Sequence, residues 1–317
     1  MRLALILGAA LLPLSLASVM IGAASVDWAN IASDPQAVLI VTVSRVPRTV
    51  AVILTGAALA VAGVVMQQIV RNRFVEPGTV GTAEGAALGL LAVTVLAPAA
   101  PIWAKMLVAS LGALAATAMF LALIRRLPPR EVLLVPLVGL VLAGVLQAGV
   151  TFIGWQTDLL QYVGIWLMTG EFSGVIAGRY ELLWIAAAAA ALAWFAADQF
   201  AILGLGREAA TGLGLNHEGV MRLGLVVVSV VTAMVVVSVG MVPFVGLVVP
   251  NIVARVMGDN LRASLPVVAT GGAALVLACD LLARLVRYPY EVPVGTVLGI
   301  LGSALFLWLL HRAPQRG

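Results

Sequence analysis

Charge is what this chain has least of. Only 10% of its 317 residues are Asp, Glu, Lys or Arg, against ~25% in an ordinary soluble domain. A water-facing surface needs more, so a soluble globular fold is excluded. Lysine is nearly missing, with Lys105 the single one among 18 basic residues. The arginines do not form a nucleic-acid face. They stand in short loops between apolar runs, the pattern that orients membrane helices. One cysteine, Cys279, lies inside an apolar run and excludes a disulfide framework or a thiolate metal site. The two histidines, His217 and His311, belong to no metal-ligand spacing. No G-x-x-x-x-G-K-S/T phosphate loop is present, so the chain cannot drive ATP-dependent work by itself. Nor is there a nucleophile–base constellation, and an enzyme is not expected.

What is present is apolar, with 62% hydrophobic residues and a mean hydropathy of +1.13. The long runs are rich in Ala and Leu and predict α-helices, whereas barrel strands would alternate over ~10 residues. Spans of ~20 apolar residues match the hydrocarbon core. They fall near 1–24, 47–70, 79–99, 102–124, 131–153, 176–198, 221–240, 244–258, 264–284 and 292–311, making ten in one polytopic all-α domain over 1–317. The first run has the look of a signal peptide, but it is long enough to be retained as a span. A polar first loop is expected over 25–44, and the aromatic segment 155–170, with Trp155, Tyr162 and Trp166, reads as an interfacial helix. Ten spans put both termini on one side. The termini and even-numbered loops hold twelve of the eighteen basic residues, so that side is cytoplasmic.

Two features interrupt the pattern. From Gly240 to Gly258, Pro243, Gly246 and Pro250 break an apolar run. Proline removes a helix donor and clashes with the preceding turn, and unwound backbone at membrane depth must be buried or line a cavity. The alternatives are a re-entrant turn followed by a short helix, or a kinked span. Small residues at Gly56, Ala60 and Gly63, and at Gly295, Gly299 and Gly302, recur at helical spacing and predict close helix packing. Two acids, Asp280 and Glu84, fall near span ends rather than at mid-membrane; Arg284 follows Asp280 by one turn, which suits a pair.

Several motifs together resemble those of the ABC-importer permeases for iron siderophores, haem and cobalamin (FecCD-type). They are R-x-P-R-T from Arg45, R-N-x-x-x-x-P-G-x-x-G from Arg71, L-G-x-x-x-A-x-x-L-G-x-N within 203–216, P-F-V-G-L-V-V-P-N from Pro243, and D-L-L-A-R ending at Arg284. Asn251 stands where that family most often has histidine, a feature reminiscent of the catecholate-type ferric-siderophore branch. The resemblance implies a cobalamin-permease-like type II importer fold in the bacterial inner membrane, with lipid around it. It also implies a second permease subunit, identical or paralogous, two cytoplasmic ATPase subunits carrying ATP and Mg, and a periplasmic or lipid-anchored binding protein. No cofactor or metal is expected on this chain.

The resemblance further assigns residues. Arg45, Arg48 and Arg284 would receive carboxylates of the binding protein, a task suited to the guanidinium fork. Leu205, Gly206, Glu208, Ala209, Gly212, Leu213 and Gly214, in a cytoplasmic loop over about 199–220, would couple to the ATPase. Asn72, Phe74, Arg130 and Glu131 would form the cytoplasmic gate. Pro243, Gly246, Pro250 and Asn251 would shape the re-entrant segment. The cargo implied is a ferric siderophore, with haem or cobalamin as alternatives. From the residues alone, a secondary transporter with discontinuous helices is the rival.

Overall fold

The computed structural model describes residues 2–22, 26–28, 31–124, 134–163, 169–258 and 260–311. Among them every regular element is helical. In chain order these are α1 (Arg2–Met20), α2 (Pro35–Ile40), α3 (Val46–Val70), α4 (Thr82–Leu96), α5 (Ile102–Ile124), α6 (Leu134–Gln156), α7 (Leu182–Phe195), α8 (Ala197–Gly204), α9 (Arg207–Gly212), α10 (His217–Val239), α11 (Val245–Met257), α12 (Leu261–Leu285) and α13 (Val294–His311).

Five segments are long and apolar enough to cross a bilayer: Pro35–Val70, Ile102–Ile124, Leu134–Gln156, His217–Val239 and Leu261–Leu285. Helices α7 and α8 reach that length only taken together and are bent by 67° at their junction, and four shorter apolar helices complete the set. Each expected span therefore has a helical counterpart. The boundaries differ where local chemistry decides them. The expected loop over 25–44 is helical from Pro35 onward. Asp34 accepts the Gln36 N–H at 2.9 Å, and proline occupies the first helical turn, a strong start signal. A π-turn over Val41–Arg45 joins α2 to α3. The carbonyl of Val43 is then free to accept the Ala177 N–H at 2.9 Å. The aromatic segment is also different, because Trp155 belongs to the last turn of α6. Tyr162 follows in a helical turn after Asp158 reverses the chain at φ 57°, and Trp166 lies outside the described residues.

Helix α3 is the central post, buried along most of its length from Pro47 to Ile69. Its glycines explain how neighbours come so close. A Cβ on Gly56 would lie 2.4 Å from the Gly272 carbonyl of α12, and one on Gly63 would lie 2.1 Å from the Gly246 carbonyl of α11. Both crossings are backbone against backbone, as small-residue interfaces allow in a membrane. The second glycine set splits: Gly295 and Gly302 press on Thr169 and Phe244, while Gly299 faces open space. The ends of the bundle are tied by buried hydroxyl pairs, Ser18–Thr49 at 2.8 Å and Thr82–Thr117 at 2.7 Å.

The broken region resolves as a turn and a short helix. Helix α10 stops at Gly240 (φ 80°), residues 240–243 are irregular, and Phe244 enters α11 in the left-handed region at φ 68°. At 13 residues, α11 is ~20 Å long at 1.5 Å per residue, too short to span the ~30 Å core. Pro250 is accommodated inside it.

Candidate translocation site

Four neighbourhoods bear on transport, beginning with the arginines. Arg45, Arg48 and Arg284 do come together, but in the interior rather than on a surface, at 5%, 8% and 3% exposure. Arg48 donates through Nε and Nη2 to Asp280 Oδ1 at 3.2 and 2.8 Å, and through Nη1 to Glu291 at 2.6 Å. Arg284 donates to the other Asp280 oxygen, to Ser18 Oγ at 3.1 Å, and to the carbonyls of Ser18 and Ile21 at 2.8 and 2.9 Å. Arg45 donates to the carbonyls of Val19 and Met20 at 3.0 and 2.8 Å, and lies over the Trp28 ring. The resemblance assigns these arginines to carboxylates of a binding protein; here they are buried and bound to internal acceptors. Their acceptors are the frayed carbonyls at the end of α1 and the buried carboxylate of Asp280. The Asp280–Arg284 pair expected from one-turn spacing is present, and Arg48 completes it into a triad. In this conformation Arg48 and Arg284 are both engaged with the buried Asp280 carboxylate.

The second neighbourhood is an apolar groove of about 470 Å³. Phe74, Leu140, Phe244, Leu247, Phe306 and Leu307 line it, with Thr79 and Ser303 as polar points. Phe74 meets Phe306 edge to face, with centroids 6.0 Å apart. Its walls come from the loop after α3 and from α6, α11 and α13. Only 28% of the α6 window is buried, and Leu137, Leu140, Val141 and Val145 on α6 are exposed.

The third is the loop 71–80. Arg71 ends α3 in the left-handed region at φ 55°. Asn72 is buried and accepts the Phe74 N–H through Oδ1 at 2.8 Å. Asn251 donates to the Arg73 carbonyl at 2.8 Å and to that of Leu247 at 2.7 Å. The asparagine that departs from the resembled pattern thus has a definite structural task, which uses both protons of one amide. Gln67 holds the Gly246 carbonyl at 3.2 Å. Glu76, which the sequence reading passed over, is only 4% exposed and accepts the Phe244 N–H at 2.8 Å. Glu84 lines the same small internal cavity as Glu76, beside Pro243 and Phe244. Of the other gate residues assigned by resemblance, Arg130 and Glu131 lie outside the described residues.

The fourth is the segment 197–216. It forms two short helices, α8 and α9, with a break at Leu205–Gly206 (Gly206 φ 98°) and a turn at Gly214 (φ 81°). Leu205 and Leu213 are 58% and 65% exposed. Glu208, Ala209, Gly212 and Gly214 are exposed too, while Gly206 is buried. Two projecting leucines that flank the compact helix α9 form an apolar knob, the kind of feature that enters a partner's groove. A Cβ on Gly206 would lie 2.9 Å from the Arg71 guanidinium, and one on Gly204 would lie 2.0 Å from Gln68 Oε1. The knob therefore rests directly on the loop that reaches the groove. A second cavity of about 540 Å³, lined by Gln68, Arg71, Asn72, Leu205 and Pro250, opens between them.

Comparison with known proteins agrees with this architecture. The FecCD transport family matches residues 9–312. The petrobactin import system permease of Bacillus subtilis is 40% identical over 269 residues, 85% of each chain. The ferric-anguibactin transport system permease of Vibrio anguillarum is 40% identical over 299 residues, 94% of this chain and 95% of that one. A vitamin B12 import system permease of Escherichia coli is 35% identical over 294 residues, 91% of this chain and 87% of its own. Among solved structures, a transporter described as of the metal-chelate ABC type, in an inward-facing conformation, superposes with a TM-score of 0.83. It is 23% identical and covers 98% of this chain and 99% of its own.

Proposed function

The chain belongs to the FecCD transport family, as the match over residues 9–312 shows, and from that premise we propose that its cargo is a ferric siderophore. It is an integral, multi-pass ABC-importer permease rather than a secondary carrier, and transport rather than chemistry is its work. Two relatives at 40% identity are named for petrobactin and ferric anguibactin, while the vitamin B12 permease stands at 35%. That order favours an iron chelate over cobalamin. The observation that carries the reading is the apolar groove with its Phe74–Phe306 edge contact, linked through the loop that begins at Arg71 to an exposed coupling knob.

In this reading 1–317 is one permease domain of the inner membrane with both termini cytoplasmic. A second permease copy, identical or paralogous, faces the groove and completes the path. Two ATPase subunits bind the knob at Leu205 and Leu213 and carry the ATP and Mg; the permease itself holds no cofactor. A binding protein delivers the chelate at the opposite end. Closure of the ATPases shifts the knob as a rigid body, and the groove changes its access. Asn72, Phe74, Arg130 and Glu131 gate it toward the cytoplasm, and Phe306 adds its edge contact with Phe74. The docking role of Arg45, Arg48 and Arg284 then needs an exchange, in which a carboxylate of the binding protein takes the place of an internal acceptor.

The test is uptake of radioactive iron in a strain lacking its own siderophore permeases but keeping a matching ATPase and binding protein. Expression of this chain is expected to restore accumulation of ferric siderophores and not of cobalamin. Restored cobalamin uptake, with no iron chelate accepted, would overturn the assignment.

A further inference from the structure

Glu76 is the buried charge for which the reading above has no use, and its surroundings are specific. It lies in the loop between α3 and α4, 4% exposed. Its Oε1 accepts the Phe244 N–H at 2.8 Å, and the N–H groups of Gly246 and Leu247 also face the carboxylate. These are donors of the first turn of α11, where backbone N–H groups lack a full set of helical partners; the Leu247 N–H also reaches the Phe244 carbonyl at 3.2 Å. Phe244 itself provides no side-chain cap there. The cap comes from 168 residues away, and a carboxylate suits the positive end of the helix. The acid is held in turn by its own loop, its N–H donating to Thr79 Oγ1 at 3.0 Å and its carbonyl accepting the Thr79 N–H at 3.1 Å.

The loop 71–80 is therefore fastened to α11 at two points, Arg73 to Asn251 and Glu76 to Phe244. Between those points the same two segments send Phe74 and Phe244 into the groove. Gly302 of α13 leaves Phe244 no slack, since a Cβ there would meet the Phe244 side chain at 2.4 Å. At its other end the loop begins at Arg71, against which the coupling segment rests at Gly206. Resting on the permease reading, we infer that Glu76 is a positioning residue of the gate: its carboxylate clamps the loop after α3 to the first turn of α11, so that Phe74 and Phe244 move as one body when the coupling segment moves. Cutting the clamp leaves the coupling segment and its ATPase contact in place and disconnects them from the groove.

The experiment uses the full chain, reconstituted in proteoliposomes with its ATPase and binding protein, and measures iron-chelate uptake and ATP hydrolysis together. Glu76→Ala removes the acceptor for a buried N–H and is expected to lower uptake per ATP about tenfold, with ATPase association and hydrolysis retained. Glu76→Gln keeps one carbonyl oxygen for Phe244 and is expected to recover part of the lost coupling. Asn251→Ala, which cuts the other fastening, should lower the same ratio. Three outcomes would overturn the inference: wild-type uptake per ATP in Glu76→Ala, parallel loss of uptake and hydrolysis, or failure of both Glu76 variants to fold, which would make the residue a folding element only. Absence of uptake with the wild-type chain would instead count against the permease reading, so the two failures are distinguishable.

Discussion

Asp280→Ala is expected to abolish accumulation of folded protein in the membrane, the largest effect of any single side-chain truncation here. Asp280 is fully buried and is the common acceptor for Arg48 and Arg284, themselves 8% and 3% exposed. Truncation leaves two buried guanidinium groups facing each other without their shared counter-charge. Breaking a buried ion pair from one side costs about 3–5 kcal/mol, a large part of the ~5–15 kcal/mol that stabilises a typical fold. Asp280→Asn keeps the shape and one acceptor oxygen but not the charge, and should fall between. Replacing Asp280, Arg48, Arg284 and Glu291 together by uncharged residues of similar size should recover part of the loss, because removing a whole buried network is often nearly neutral. Recovery would be incomplete, since Arg284 also ties down the Ser18 and Ile21 carbonyls at the end of α1. Detergent-solubilised yield and thermal midpoint, read by size-exclusion chromatography, measure the effect. Wild-type yield and midpoint for Asp280→Ala would show that the triad is dispensable. The same geometry means that charge reversal at Arg48 or Arg284 disturbs folding before it disturbs docking.

The second large effect belongs to the coupling knob. Gly212→Trp is expected to leave insertion intact and to abolish uptake. Nothing within 4 Å would meet a Cβ at Gly212 or Gly214 inside this chain, so steric harm at either site comes from a partner's surface. Gly212 gives the cleaner variant, because Gly214 has a φ of 81°, which strains any other residue. Overpacking a fitted surface costs about 1–3 kcal/mol, or roughly fivefold to 150-fold in ATPase affinity. Leu205→Asp and Leu213→Asp should weaken the same association by removing the apolar contact. Affinity of the purified permease for its ATPase in nanodiscs reads this directly, and a reporter fused after Asn216 should be cytoplasmic. Normal transport by Gly212→Trp, or an external reporter signal at Asn216, would remove this segment from the mechanism.

Legibility in the sequence follows interaction range. Apolar run length placed all ten helical segments, and the Pro and Gly residues of 240–250 marked the broken one, because those signals are local. The glycines of α3 announced close contacts but not their partners, Gly272 and Gly246. The Asp280–Arg284 pair was legible from a separation of one turn. The third member, Arg48, is 232 positions away from Asp280, and nothing local pointed to it. Glu76 was hidden for the same reason: in E-P-G it looks like part of a turn, and its acceptor role depends on a strained Phe244 in another broken segment. The start of α2 has a local signal, Asp34-Pro35, inside a stretch whose polar composition reads as a loop. The aromatics of 155–170 share a composition but not an element, since helix α6 continues through Trp155.

The measurement that tests the central claim most directly is transport in proteoliposomes containing only this permease, its ATPase and its binding protein, with no ion gradient across the membrane. The account predicts accumulation of a ferric siderophore that requires ATP and the binding protein and stops when the ATPase is inactive. Uptake driven by an imposed ion gradient without ATP, or ATP hydrolysis with no movement of any iron chelate, would contradict it.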